Sequence, residues 1–237
     1  MIRDYVSVDI ETSGTQAKWD KIIEIGAVKV RDGKVVDTFS ELINPGVKIS
    51  PFITGLTGIT NDMLAGKPEI ETVLPKFVAF AQEDYLLGHN VMFDYSFLKQ
   101  NAMNLNIPFE KSGVDTLKIA RKTLKGLESR GLEYLCTYYG IKDDNHHRAF
   151  NDARATSELY LILMKQFGSE LPGLFEPYTF TYSVKKMQPI TDRQKKYLRD
   201  LMEYHQIIPD FDINALSKNE ASRKIDKILT EKGRIFD

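Results

Sequence analysis

The sequence predicts an α/β fold, a mixed sheet flanked by helices, with a small helical module behind it. Two observations carry this: the chain opens with three consecutive stretches of strand texture, and beyond residue 84 short apolar strands alternate with segments of helical period. A third is a change of charge. Residues 185–237 hold twelve Lys and Arg against nine Asp and Glu, whereas the preceding 184 hold twenty against twenty-four.

Residues 2–11, 22–30 and 35–43 alternate or run apolar with β-branched enrichment, and Asp32-Gly33 between the last two is a hairpin turn signal. They read as an antiparallel meander. Ile53 to Ala65 holds two glycines and a short helical piece. A helix follows over about Glu69–Gln82, where Val73, Phe77 and Phe80 recur at steps of three and four. Tyr85–Gly88 reads as a strand leading into HNVMFDYSFLKQNAM, a helix with Phe93, Phe97 and Leu98 on one side. A strand at Gly113–Asp115, helices near 116–125 and 131–139, and a long helix over about Phe150–Phe167 complete a domain assigned to residues 1–170.

Residues 171–190 carry three prolines and no helical period, the composition of a linker with some extended character. In the module at 191–237, Thr191-x-x-Gln194 and Ser217-x-x-Glu220 match a capping box, in which hydroxyl and side-chain acceptor satisfy orphan backbone donors at a helix start. Tyr197, Leu198, Leu201 and Met202 give the first helix an apolar stripe; Ala221, Ile225, Ile228 and Leu229 give the second one.

At 42% hydrophobic and 27% charged, the composition is that of a globular chain, not a disordered or fibrous one. A net charge of -1 leaves nucleic-acid contact to local patches. The lone Cys136 forms no intrachain disulfide and reads as a buried apolar residue; with no cysteine cluster for zinc, this fits a reducing setting. No signal peptide and no run of about 18 apolar residues is present, so the expectation is a cytoplasmic protein without membrane association. Neither GxxxxGK[ST] nor GxGxxG occurs.

The chemistry-bearing residues are acids. Asp9 and Glu11 in VSVDIETSG project from the same face of a strand, because side chains alternate. Two carboxylates so close repel, and divalent cations turn that repulsion into ligation. Taken alone the pair also fits a solvated strand face shared with Tyr5 and Ser7. Asp94 lies one turn into its helix on the side of Phe97 and Leu98, where a carboxylate calls for a partner. Asp152 opens the long helix on the stripe Thr156, Leu159, Leu163, Phe167. His147 precedes it by five residues, in a loop from which an imidazole can take a proton from water near neutral pH; His146 is the competing base. Hard oxygen ligands without thiolates select Mg²⁺ or Mn²⁺, and two such ions about 4 Å apart serve in-line phosphodiester hydrolysis.

With DIET at 9–12, GHNVMFD at 88–94 and HRAFND at 147–152 in this order, the chain resembles the DEDDh 3′-to-5′ exonucleases, including the proofreading epsilon subunit of bacterial DNA polymerase III and polymerase-embedded exonuclease domains. The resemblance covers about residues 1–170. It implies a ribonuclease-H-like fold, a two-metal site in which Asp9, Glu11 and Asp152 bind one ion and Asp9 helps bind the second, Asp94 acting largely through water on the metal, and His147 as general base. The TGIT at 57–60 resembles the segment lining the substrate cleft, with Thr57 as in the polymerase-embedded type. Thr12, Leu56 and Asn90 become candidates for holding the 3′-terminal nucleotide.

The implied substrate is a single-stranded or frayed DNA 3′ end, releasing nucleoside monophosphates, with a DNA polymerase as candidate partner. No glutamine-led hydrophobic clamp peptide is found in the linker, which argues against sliding-clamp docking. The alternatives are RNA 3′-end trimming and a nucleic-acid or polymerase-binding subunit. The basic module suits a tether, with Lys195, Lys196 and Arg199 or Arg223, Lys224 and Lys227 against phosphates.

Overall fold

The computed structural model describes residues 1–142, 147–184, 188–209 and 211–235. Two compact units are present, Met1–Val184 and Lys185–Asp237.

In the first, β1 (Tyr5–Thr12), β2 (Ile22–Arg31) and β3 (Lys34–Leu42) form the antiparallel meander. The turn works as the sequence reads: Asp32 and Gly33 both take positive φ, 46° and 76°, which matches the twist of the strands they join. β3 is the sheet edge and is largely exposed, and its Lys34, Asp37 and Glu41 disfavour pairing with another chain.

The chain then forms α1 (Pro51–Thr57), the single turn α2 (Asn61–Leu64) and α3 (Ile70–Ala81). β4 (Tyr85–Gly88) pairs parallel to β1, α4 (Val91–Asn104) crosses back, and β5 (Ser112–Asp115) pairs parallel to β4. Then come α5 (Thr116–Thr123), α6 (Leu132–Tyr139) and the long α7 (Ala149–Phe167). A two-residue strand, β6 (Tyr178–Thr179), closes the other edge, giving the order β3-β2-β1-β4-β5-β6.

Helices cover both faces. On one, Val6, Val8 and Ile10 of β1 pack with Val73 and Phe77 of α3 and Phe97 and Leu98 of α4. On the other, Tyr5, Val28 and Leu87 pack with Ile119, Leu135, Leu159 and Leu163 from α5, α6 and α7. Each such fully buried side chain is worth about 1.5–3 kcal/mol. Cys136 is buried in this second layer.

The linker expectation fails for residues 171–184. After a 3-10 turn at Pro172–Phe175, β6 hydrogen-bonds β5, and Phe175 and Phe180 are buried on opposite faces of the sheet, the latter 5.1 Å from the Tyr95 ring. Prolines break helical period but do not stop aromatic side chains from filling a core.

The second unit holds α8 (Asp192–Tyr204) and α9 (Lys218–Lys232). Both start in complete capping boxes, Thr191 with Gln194 and Ser217 with Glu220. Leu198, Leu201, Met202, Ala221 and Ile225 form its core. An isolated bridge, Pro189 to Ser217, and an Ile190 N–H bond to the Leu216 carbonyl tie the two helix entries together.

Candidate active site

The acids converge where β1 outruns β4. Parallel pairing between these strands ends at Ser7 and Leu87, so further along β1 the backbone facing β4 needs other partners. Asp94 supplies one: from the first turn of α4 its Oδ1 accepts the Ile10 N–H at 3.1 Å. Asp94 is thereby held at 4% exposure against the strand that carries Asp9 and Glu11.

α7 arrives from the opposite face. Its first turn lies directly on β2: a Cβ built on Gly26 would come within 2.0 Å of the Phe150 nitrogen, so only glycine permits the approach. Gly26 is the register partner of Asp9, and this approach brings Asp152 to the acids of β1. Asp152 is 8% exposed, and its Oδ2 accepts the backbone N–H of His147 at 3.1 Å. His147 takes φ 63°, a left-handed conformation uncommon outside glycine, so the chain turns sharply at this residue. Glu11, His147 and Asp152 each offer a ligand atom, all within 4.8 Å of one another.

A clamp unseen in the sequence fixes this corner. Glu24, opposite Glu11 in the ladder and fully buried, accepts Arg148 Nε at 3.1 Å and Nη2 at 2.7 Å, and the Ala149 N–H at 3.1 Å. Bidentate geometry of this kind orients as well as attracts. It anchors the residue after His147 and the start of α7 together. In the sequence Glu24 looks like the polar position of an alternating strand; the signals that could have found it are two flanking isoleucines and a later Arg beside the His147 motif.

Electrostatically the site is overloaded with negative charge. Burial, then repulsion from Asp94, Asp152, Glu11 and Glu24, pushes the Asp9 carboxyl well above the ordinary carboxylate range. Burial, then Asp152, Glu24 and Asp94, raises Glu11 to about 8, with Arg148 opposing. Asp94 is likewise raised, by burial first, although its hydrogen bonds pull the other way. The solvated-face reading of β1 fails, because Tyr5 and Ser7, on the face of Asp9 and Glu11, are fully buried: Ser7 Oγ donates to the Ala153 carbonyl of α7, and Tyr5 Oη lies 2.9 Å from Ser157 Oγ.

The remaining sequence candidates scatter. Leu56 is 45% exposed on α1, one turn after Phe52 at 76%. Asn90 is exposed in the left-handed region, φ 73°, with its N–H held by Asp115 Oδ1 at 3.0 Å. Thr12 is 8% exposed and donates to the Gly14 carbonyl at 2.6 Å, shaping the turn after β1. Thr57 does not fit a substrate contact: it is buried, donates to the Ile53 carbonyl and accepts the Ile59 N–H, so its hydroxyl is spent on ending α1. Half-buried His89, bonded to Thr116 Oγ1 and the Arg130 carbonyl, steadies the strand end beside Asn90. His146 lies outside the described residues.

Residues 6–160, spanning β1 through most of α7, match the exonuclease family RNase_T. The chain belongs to this exonuclease family. It is 41% identical over 189 residues, 78% of its length, to the DNA polymerase III PolC-type of Clostridium perfringens (strain 13 / Type A), of which it spans 13%. Among solved structures, exonuclease X in complex with 5′ overhanging duplex DNA shares 30% identity at a TM-score of 0.56, over 69% of this chain and 93% of that one. The nuclease domain of 3′hExo, a DEDDh family member bound to rAMP, matches in fold at 20% identity and a TM-score of 0.62, over 76% and 98% of the two chains.

The sheet of this exonuclease domain is therefore ribonuclease-H-like, and the family fold implies a divalent metal. The residues present fit one: buried carboxylates that raise one another's pKa are hard donors whose repulsion a divalent cation relieves. Among the described residues, no helix is long and apolar enough to cross a membrane.

Proposed function

We propose that this protein is a 3′-to-5′ exonuclease that hydrolyses phosphodiester bonds at the 3′ ends of single-stranded or frayed DNA and releases nucleoside monophosphates, in proofreading or repair. The observation that carries this is the convergence of Asp9, Glu11, Asp94 and Asp152 from three separated segments into one buried, mutually repelling group beside His147. Asp9, Glu11, Asp94 and Asp152 would hold two Mg²⁺ or Mn²⁺ ions, which when bound supply charge neutralisation at the phosphate and an acidified water.

The chain's own residues do the rest. His147 takes the proton from the attacking water on a ring nitrogen as the water oxygen bonds to phosphorus and the 3′ oxygen of the preceding nucleotide leaves. The Glu24–Arg148 clamp and the Asp152 bond to the His147 N–H keep that loop in place without touching substrate. Phe52 and Leu56, exposed and apolar, suit the stacking of an unpaired base, which makes end-opening the basis of selectivity. Partnership with a DNA polymerase in the cytoplasm is part of this reading, without sliding-clamp docking.

Digestion of a 5′-labelled single-stranded DNA and its RNA counterpart, with Mg²⁺, Mn²⁺ or chelator, tests it. The expected result is a DNA ladder shortening from the 3′ end, only with metal and absent in Asp9→Ala. Preferential RNA shortening would reassign the substrate, and no cleavage with either metal would sink the reading.

A further inference from the structure

The catalytic carboxylates leave unexplained a cavity of about 350 Å³ elsewhere in the first unit, between α5 and the segment 173–178. Its wall carries Lys118, Arg121 and Lys122, three cations on one short helix in a unit whose net charge is -4. All three are exposed, and among the described residues Arg121 and Lys122 have no ion-pair partner. Lys118 Nζ donates to Tyr178 Oη at 2.6 Å and lies 3.9 Å from the ring centre, so this charge rests on one face of the ring.

The apolar lining comes from Val114 and Ile119 and, on the segment 173–178, from Leu174 and the Tyr178 ring. Two acids also line the cavity. Asp115 accepts the N–H groups of Asn90 and Leu117 on its Oδ1, so Asp115 and Glu176 together set two acids against three cations.

An apolar wall beside several cations is the complement of a nucleotide, with base or sugar against the wall and phosphate against the charges. The place matters as well. Asp115 joins the cavity to the catalytic corner: its carboxylate holds Asn90, and its charge reaches Asp94. Arg121 in turn acts on His89, the neighbour of Asn90.

We propose that this cavity is a second nucleotide-binding site that grips an internal nucleotide of the same single strand whose 3′ end is being hydrolysed. The inference rests on the exonuclease reading for its choice of ligand. It gives the enzyme a hold on the strand that survives removal of each terminal nucleotide, and so a dependence of affinity on strand length.

The test uses the full chain with Asp9→Asn to prevent cleavage, and measures binding of fluorescein-labelled DNA trimers and 12-mers as salt is varied, with and without Arg121→Ala/Lys122→Ala. Both positions are exposed helix surface, so the fold is retained; a thermal melt checks this, and the single charge reversal Lys122→Glu serves as an independent variant. The expected result is that the ratio of 12-mer to trimer affinity falls about tenfold and the salt dependence for the 12-mer drops by about two phosphate contacts. A ratio unmoved by either variant overturns the site. So does dAMP binding that weakens with the same substitutions while 12-mer binding does not, since the cavity would then hold free product. Failure of wild-type protein to cleave any oligonucleotide with metal would instead sink the exonuclease reading, whatever these ratios show.

Discussion

In the C-terminal unit, charge stays outside the apolar layer: Leu198, Leu201, Ala221 and Ile225 are buried while Lys196, Arg199, Arg223 and Lys227 lie outside the core. At the open end of the first unit's sheet the reverse holds, and Glu11, Glu24, Asp94 and Asp152 are all at or below 9% exposure. One region obeys every local rule of helix capping and amphipathic pattern. The other stores carboxylate repulsion against a packed core. A site that binds a divalent cation has to be unfavourable without it, and the surrounding fold must be stable enough to hold it together.

The sharpest way to break this contrast is to remove a charge from the repelling group. Asp9→Asn is expected to lower cleavage by at least about 10³-fold and yet to raise the melting temperature of metal-free protein, as read by calorimetry with chelator; a fall would show that repulsion is not what the site stores. The pH dependence has a definite sign. The folded-state pKa of Glu11, about 8, lies above its ordinary value of 4.5, so its contribution to stability is complete below pH 4.5 and is lost as pH rises through 8. Metal-free wild type is therefore expected to melt lower at pH 8.5 than at pH 5.5 from this source, and divalent metal to restore much of the difference.

His147→Ala comes next. Turnover is expected to fall about 10²-fold, with metal-induced stabilisation retained. Loss of that stabilisation would recast His147 as a ligand, a role its closeness to Glu11 and Asp152 makes testable. Gly26→Ala should cost about 2 kcal/mol or more by driving a methyl into the first turn of α7, and should reduce activity by displacing Asp152; urea denaturation and cleavage assays read both. In the C-terminal unit, where no such conflict exists, Thr191→Ala or Ser217→Ala is expected to cost only about 1 kcal/mol, the worth of a cap, and to leave trimer cleavage unchanged.

The same contrast explains what could be read in advance. Capping boxes, the Asp32-Gly33 turn and the strand and helix periods are local signals, and the elements they announce are present within a residue or two for β2, β3, β4 and α3. The acids could be picked out because three short motifs carry them in a characteristic order. Glu24 carried a weaker signal, two flanking isoleucines and an Arg beside His147, because its partner Arg148 is 124 residues away and alternation makes an acid at that strand position unremarkable. β6 could not be picked out, since its two residues gain their identity only from β5, nor could the burial of Phe175 and Phe180 in a proline-bearing stretch. Thr57 erred in the other direction. Its motif suggested a cleft contact, but a hydroxyl at a helix end is readily claimed by the backbone around it.

The seating of α7 on Gly26 also sets when in folding the acidic site is assembled. Asp9 and Asp152 lie more than half the chain apart, and the two meet only when a helix from the far side of the sheet closes onto a bare stretch of backbone. Contacts of such sequence separation form late in folding. On the proposed exonuclease reading, a chain in which α7 has not closed onto β2 holds these acids apart, so hydrolytic competence arrives with the completed fold.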